Sequence, residues 1–375
     1  MGVVPSEPWR SCNVSTYVVH PPQTDAELAA NATRNADGNL YPPSYVPQQA
    51  NVAKRAKAGF IVLARNRELE DLKGSIRDVE YRFNHKYGYP WIFLNDQPFS
   101  KEFKAGVRKL TRSEVRFGQV PHEHWSYPPY VDQVKAAKAR KEMGKKGMPY
   151  GDSESYRHMC RYQSGFFFRH PLTLDLDYYW RVEPGIKLHC DIDYDPFLFM
   201  QLNNKTYGFT IAGREFIDTV PTLWETTRDF ITQHPFYIPK SNADHFLFDT
   251  EQRIWNTCHF WSNFEIGDLR FWRSQRYLDY FNYLDRAGGF FYERWGDAPV
   301  HSIAAALFLE KDQIHHFDDI GYTHHPWTHC PKHQDYHNSG RCDCDTSNTF
   351  DRHDFSCLAE WYRGATEKVP THVVP

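Results

Sequence analysis

A carboxylate set between apolar neighbours, Phe264-Glu265-Ile266, is the first group in this 375-residue chain with the makings of a reactive side chain. Apolar surroundings tune a carboxylate for work as a base or nucleophile. A second local reading makes Glu265 the start of a helix over 266–284, where the helix dipole favours a negative charge. Asp297, in Trp-Gly-Asp-Ala-Pro (295–299), has the same two faces. It is either a site carboxylate or the N-cap of a helix over 299–309 with proline in its first turn.

Two groups could hold a divalent metal. Asp191-Ile-Asp193 is a D-x-D pattern in a segment read as a strand, which would set Asp191, Asp193 and Asp195 on one face. Glu183, ahead of Pro184 at a strand end, could instead combine with a distant histidine such as His324 in a turn. One carboxylate and one imidazole, completed by phosphate oxygens and water, suit Mn2+ better than Ca2+. Spacing alone leaves these two open. His315 and His316 adjoin on a strand, so only one of them can face a common site.

These residue types fit sugar transfer from a nucleotide diphosphate. The departing diphosphate needs a cation, and the anomeric carbon, as it gains positive charge, needs a carboxylate nearby. Aromatic residues make up 16% of the chain, enough to line a carbohydrate site as well as a core.

The elements that must position these groups follow from periodicity. Residues 58–66 read as a buried strand, and Leu69, Leu72, Ile76, Val79 and Phe83 mark one face of a helix. Residues 89–95 read as a second strand. The resulting βαβ unit implies parallel strands with a right-handed crossover, and ligands collect at the carboxyl ends of such strands. Arg65, Asn66, Asn95 and Asp96 fall there. No GxGxxG or P-loop sequence occurs. Residues 134–152 are Lys-rich and read as a solvated helix and loop, while 178–184 and 314–317 read as further strands. Alternating strands and helices predict an α/β fold. Residues 1–57 read as an arm or stem with a short helix at 24–34, and 58–375 as a single catalytic domain.

The balance of 44 basic and 47 acidic residues gives a net charge of −3, which offers no field for nucleic acid. No apolar run is long enough to span a membrane and no signal-peptide core is present, so membrane attachment is expected only through an anchor absent from this chain. Four of the eight cysteines crowd between 330 and 357, which points to disulfides and an oxidising compartment. The competing reading is zinc, with His325, His329, His333 and His337 close by. Sequons at Asn13, Asn31 and Asn204 fit a secretory route.

Six segments together resemble the fungal α-1,2-mannosyltransferases of glycosyltransferase family 15. They are Tyr-Arg-His-Met-Cys-Arg-Tyr-Gln-Ser-Gly (156–165), Tyr-Trp-Arg-Val-Glu-Pro (179–184), Cys-Asp-Ile-Asp-Tyr-Asp (190–195), Phe-Trp-Ser-Asn-Phe-Glu-Ile-Gly (260–267), the run 288–302 around Trp-Gly-Asp-Ala-Pro, and His-His-Phe-Asp-Asp-Ile-Gly-Tyr (315–322). The resemblance spans residues 58 to 331. It implies a GT-A-like nucleotide-sugar-binding fold, with a mixed, mostly parallel central sheet flanked by helices, in a type II protein of the Golgi lumen. It further implies Mn2+-dependent transfer of mannose from GDP-mannose to the 2-hydroxyl of a mannose acceptor on O-linked or N-linked glycans, with retention.

By position, Glu265 matches the family's candidate nucleophile, Glu183 and His324 the metal-binding pair, Asp297 a site carboxylate and Tyr156 a tyrosine near the acceptor and diphosphate. Arg65 then faces GDP, with Asn66, Asp96 and Asp193 grouped on the donor side; Asp191 and Asp193 stand behind the metal or towards the acceptor. Two rival readings are a glycoside hydrolase acting on mannosides, which needs neither nucleotide nor metal, and a non-catalytic glycan-binding protein.

Overall fold

The protein is described from a computed structural model, which covers residues 25–35, 38–42, 55–249 and 254–364. Its frame is a seven-stranded sheet. In chain order the strands are β1 (Ala58–Leu63), β2 (Trp91–Asn95), β3 (Val115–Gln119), β4 (Tyr178–Arg181), β5 (Tyr207–Phe209), β6 (Ile266–Asp268) and β7 (Ile314–His316). Their spatial order is β7-β5-β6-β4-β1-β2-β3. All neighbours are parallel except β6, which runs antiparallel to both β4 and β5. The sheet is therefore mixed and mostly parallel, as the sequence implies.

Alternation along the strands feeds two cores. Phe60, Val62, Trp91, Phe93 and Trp180 pack on one face, and Ile61, Ile92, Leu94 and Tyr179 on the other. The helices that matter for the site are α1 (Leu69–Val79), α2 (Gln133–Lys145), α3 (Glu154–Gly165), α4 (Gln275–Ala287) and α5 (Asp297–Phe308). Leu72, Ile76 and Val79 of α1 are buried, as their spacing predicts. Gly288 ends α4 in the left-handed region at φ 77°, which suits glycine.

Several expectations need correction. The 266–284 segment opens with a strand, then a short turn of helix, and α4 starts only at Gln275. Glu265 consequently precedes a strand and meets no helix dipole. Residues 191–195 are not a strand; Asp195 caps the helix Pro196–Leu202 by accepting from the backbone N–H groups of Phe197 and Leu198. That local bonding outcompetes the alternation of acids. Helix α5 begins at Asp297, with Gly296 as its N-cap, so the Asp297 carboxylate is not the cap. His324 ends a strand, Tyr322–His324, rather than sitting in a turn.

Two disulfides, Cys190–Cys342 and Cys258–Cys357, tie the C-terminal segment to the body, and a third, Cys330–Cys344, closes a loop within that segment. The two groups of metal-ligand type among the described residues are built on these bonded cysteines, so their sulfurs are committed and the zinc reading fails there. Cys160 is free and buried; Cys12 and the Asn13 sequon lie outside the described residues. The described part of the arm includes a helix, Asp25–Asn31, and Tyr41, which packs on Tyr194 and Phe199 at 4.9 and 4.7 Å between ring centres.

Candidate active site

A cleft opens at the carboxyl ends of β1 and β2, on the edge where parallel strands present ligands. Its first part, about 550 Å3, is lined by Arg65, Asn95, Asp96, Tyr150, Ser155 and Tyr156. A second part, about 430 Å3, is walled by Phe216, Trp261, Trp327 and Phe355 together with Glu215, Ser262 and Arg294. Tyr150, Tyr156, Met159, Arg181, Glu183 and His324 border both parts. Arg65 donates to Ser155 Oγ at 2.9 Å. Tyr156 stacks on Tyr150 with ring centres 4.5 Å apart, and its hydroxyl accepts from Arg294 at 3.1 Å.

Arg181 organises the shared wall. Alternation in and beyond β4 brings Tyr179, Arg181 and Glu183 to one side. The Arg181 guanidinium, 6% exposed, donates to Asp297 Oδ2 at 2.5 Å and to Glu183 Oε1. Ser262 adds a donor to Asp297 at 2.8 Å. Burial works against the Asp297 and Glu183 charges, but Arg181 outweighs it, lowering Asp297 and, with His324, holding Glu183 at about 2. His324 Nε2 stands 3.5 Å from Glu183 Oε2. Burial alone would lower this imidazole, yet Glu183 raises it. The buried Nδ1 of His324 has no hydrogen-bond partner.

Glu265 occupies a different chamber. Its backbone carbonyl accepts from Arg181 N–H at 2.9 Å, which sets the two residues opposite each other across β4 and β6. The side chain is fully buried and does not line the cleft. Tyr179 and Tyr207 donate to its two oxygens at 2.8 and 3.0 Å, and His301 Nδ1 lies 3.1 Å from Oε2. The other His301 nitrogen faces the carbonyl of Gln163 at 3.1 Å. A Cβ at Gly267 would come within 2.7 Å of the Tyr179 ring, so glycine is what lets that ring lie across β6.

The structure thus gathers Arg65, Asp96, Tyr156, Glu183, Asp297 and His324 around one cleft and places Glu265 behind its wall. Asn66 turns aside, donating to the Pro98 carbonyl at 3.0 Å and accepting from Ser100 N–H at 2.9 Å. Asp193 is not among the residues lining the cleft; it lies 3.5 Å from Lys86, and Asp191 pairs with Arg82 at 2.8 Å. His315 and His316 are buried in the sheet and neither reaches the cleft. The sequence reading missed Arg181, His301 and Arg294. Arg181 was within reach, since it is two residues before Glu183 on a strand; nothing local signals the other two.

The model of the glycolipid 2-alpha-mannosyltransferase family matches residues 18–366. Glycolipid 2-alpha-mannosyltransferase of Saccharomyces cerevisiae is 55% identical over 316 residues, which is 84% of this chain and 71% of that protein. O-glycoside alpha-1,2-mannosyltransferase omh1 of Schizosaccharomyces pombe is 50% identical over 82% of this chain and 79% of its own length. Among solved structures, core-mannan synthase A of Aspergillus fumigatus in its Mn/GDP form superposes with a TM-score of 0.80 at 40% identity, covering 90% of this chain and 93% of that one. Ktr4p of S. cerevisiae in complex with GDP gives 0.82 at 37% identity, covering 93% and 91%.

Proposed function

The chain belongs to the glycolipid 2-alpha-mannosyltransferase family, and from that premise we propose how its cleft moves a mannosyl group. The protein is a Mn2+-dependent enzyme that transfers mannose from GDP-mannose, with retention, to the 2-hydroxyl of a mannose acceptor. Glu183 and His324 suit the metal: one ionised carboxylate and one imidazole with an unpartnered nitrogen, a donor set that favours Mn2+ over Ca2+. When bound, Mn2+ offsets the negative charge of the departing diphosphate.

In this reading the cavity beside β1 and β2 takes the GDP portion, with Arg65 and Asp96 at its rim. The aromatic cavity takes the acceptor, whose C–H faces pack on Trp261 and Phe216. The mannose anomeric carbon then lies at their common border, beside Tyr156 and Arg181.

The observation that carries the mechanism concerns the carboxylates. Each one lining the acceptor cavity is tied to an arginine: Glu183 and Asp297 to Arg181, Glu215 to Arg294 at 3.0 Å. Glu265, fully buried, already accepts from two tyrosine hydroxyls, with His301 Nδ1 beside it. None of the four is poised to attack carbon. This favours entry of the acceptor hydroxyl from the side that GDP leaves. The bond from the anomeric carbon to the phosphate oxygen breaks, the bond to the acceptor oxygen forms on the same face, and the leaving phosphate takes the hydroxyl proton. Glu265 supplies a fixed negative charge behind the site that favours the positive character of the anomeric carbon.

We assign the acceptor to protein-linked O- or N-glycans and the location to the Golgi lumen. Disulfides fit an oxidising compartment, and no helix among the described residues is long and apolar enough to cross a membrane. The test is GDP release from GDP-mannose with methyl α-mannoside, with and without Mn2+. Metal-dependent release coupled to an α-1,2-linked disaccharide is expected. GDP binding without any disaccharide would overturn the reading.

A further inference from the structure

A second and larger cavity, about 1350 Å3, opens at the amino ends of β1, β2 and β3. It lies on the opposite edge of the sheet from the cleft, a six-residue strand or roughly 20 Å away. Its walls carry Arg55 and Lys57 at the entry to β1, Arg77 in the last turn of α1, and Arg108, Lys109 and Arg112 ahead of β3. No carboxylate lies within ion-pair reach of any of these six among the described residues. Arg55 is fixed by donating to the carbonyls of Tyr87 and Gly88 at 2.6 and 2.8 Å, which leaves its charge uncancelled.

The acids in the same wall are engaged elsewhere. Glu80 accepts from Trp91, Asn84 and Thr111, while Glu114 and Asp175 pair with Arg116. In a chain of net charge −3, this is a concentrated positive patch in a concave site, and such focusing attracts anions. Residues 43–54, which precede Arg55 in the sequence, contain no acidic side chain.

The chemistry narrows the occupant. Guanidinium groups match phosphate oxygens in a bidentate way. A flat bilayer does not reach concave walls, and the one large apolar side chain strongly exposed here is Tyr81, at 72%, which is no membrane-inserting set. Arg82 covers one face of the Tyr81 ring at 5.6 Å, and an aromatic at the rim of a polar groove suits a sugar ring. Glu114 and Asp175, their charges matched by Arg116, keep oxygen lone pairs that accept from sugar hydroxyls. We propose that this groove binds a phosphate-bearing saccharide, its phosphate among the arginines and its ring against Tyr81.

The test is titration of the full chain with mannose 6-phosphate, the cleft first filled with GDP and Mn2+, alongside mannose, inorganic phosphate and phosphatidylserine-containing vesicles. Saturable binding of mannose 6-phosphate that weakens with salt is expected. Arg77→Glu combined with Arg112→Glu should weaken it at least about tenfold, the scale of one lost charge-assisted hydrogen bond. Tyr81→Ala should weaken mannose 6-phosphate but not inorganic phosphate, and mannosyl transfer should be unchanged in both variants. Equal binding by the charge-reversed protein would overturn the proposal. So would indifference of mannose 6-phosphate to Tyr81→Ala, which would mean an adventitious anion only. Vesicle binding that the charge reversal abolishes, without saccharide phosphate binding, would assign the groove to a lipid surface instead.

Discussion

Two carboxylate environments sit next to each other along one strand pair, and they are built from opposite materials. On the cleft side, Asp297 and Glu183 share the Arg181 guanidinium, and His324 stands beside Glu183. Deeper in, the Glu265 carboxylate takes no hydrogen bond from an arginine; two tyrosine hydroxyls hold it and His301 lies beside it. The first arrangement keeps charges ionised at a surface that ligands can reach. The second keeps a charge stationary where they cannot. The family resemblance implies roles for Glu183 and Glu265 alike, and in the proposed reading their surroundings separate a ligand-binding group from a positioning one.

The sharpest way to break the contrast is to remove Arg181. Arg181→Met should strand the buried Asp297 and the half-buried Glu183 at a cost of about 3–5 kcal/mol, lowering the melting temperature and abolishing transfer. An unchanged melting temperature would show that the two acids find other partners.

The cleft side should respond to metal and the rear chamber should not. Glu183→Gln and His324→Ala are each expected to raise the Mn2+ concentration for half-maximal activity by roughly 10–100-fold, the range typical of disturbed metal sites. Metal dependence identical to the parent in both variants would remove the pair from the metal site.

A smaller effect follows from pH. Burial disfavours the His324 cation, but Glu183 prevails and raises its pKa. Protons therefore compete with metal from a pH above the ordinary imidazole value of about 6.5 downward, so Mn2+ affinity falls as pH falls through that window. Mn2+ titrations at several pH values check this, and a flat profile would contradict it.

The smallest effect lies away from the cleft, under the C-terminal segment. His329 is buried, which lowers its pKa, but Asp351 at 3.0 Å raises it further than burial lowers it. A raised folded value means that this pairing stabilises the protein fully below the unfolded pKa and is lost as pH rises through the folded one. Asp351→Asn should accordingly cost more stability in mildly acidic than in alkaline buffer, as thermal melts would show.

Much of this was open to a reader of the sequence. The unit β1-α1-β2 is legible because a short continuous apolar run and then an apolar spacing of three and four follow one another, and its strand ends locate Arg65 and Asp96. The rear chamber was not legible. Apolar residues from Ile266 onward recur at helical spacing, so a three-residue strand hides inside a helix pattern, and its need for Gly267 appears only when Tyr179 is seen to cross it. Asp195-Pro196 is itself a good helix start, yet the alternation of three aspartates argued for a strand; local capping won. The disulfides join positions up to 152 residues apart, and no local pattern encodes such pairs.

In the proposed mechanism Glu265 is a held charge rather than an attacking group. The direct measurement is turnover of Glu265→Gln with GDP-mannose, Mn2+ and methyl α-mannoside, with GDP affinity recorded alongside. A loss of about 10–1,000-fold, the scale of removing one electrostatic contact to the transition state, with disaccharide still formed, is the predicted result. A collapse on the order of 10⁶-fold with GDP affinity intact, the scale of a lost nucleophile, would contradict it.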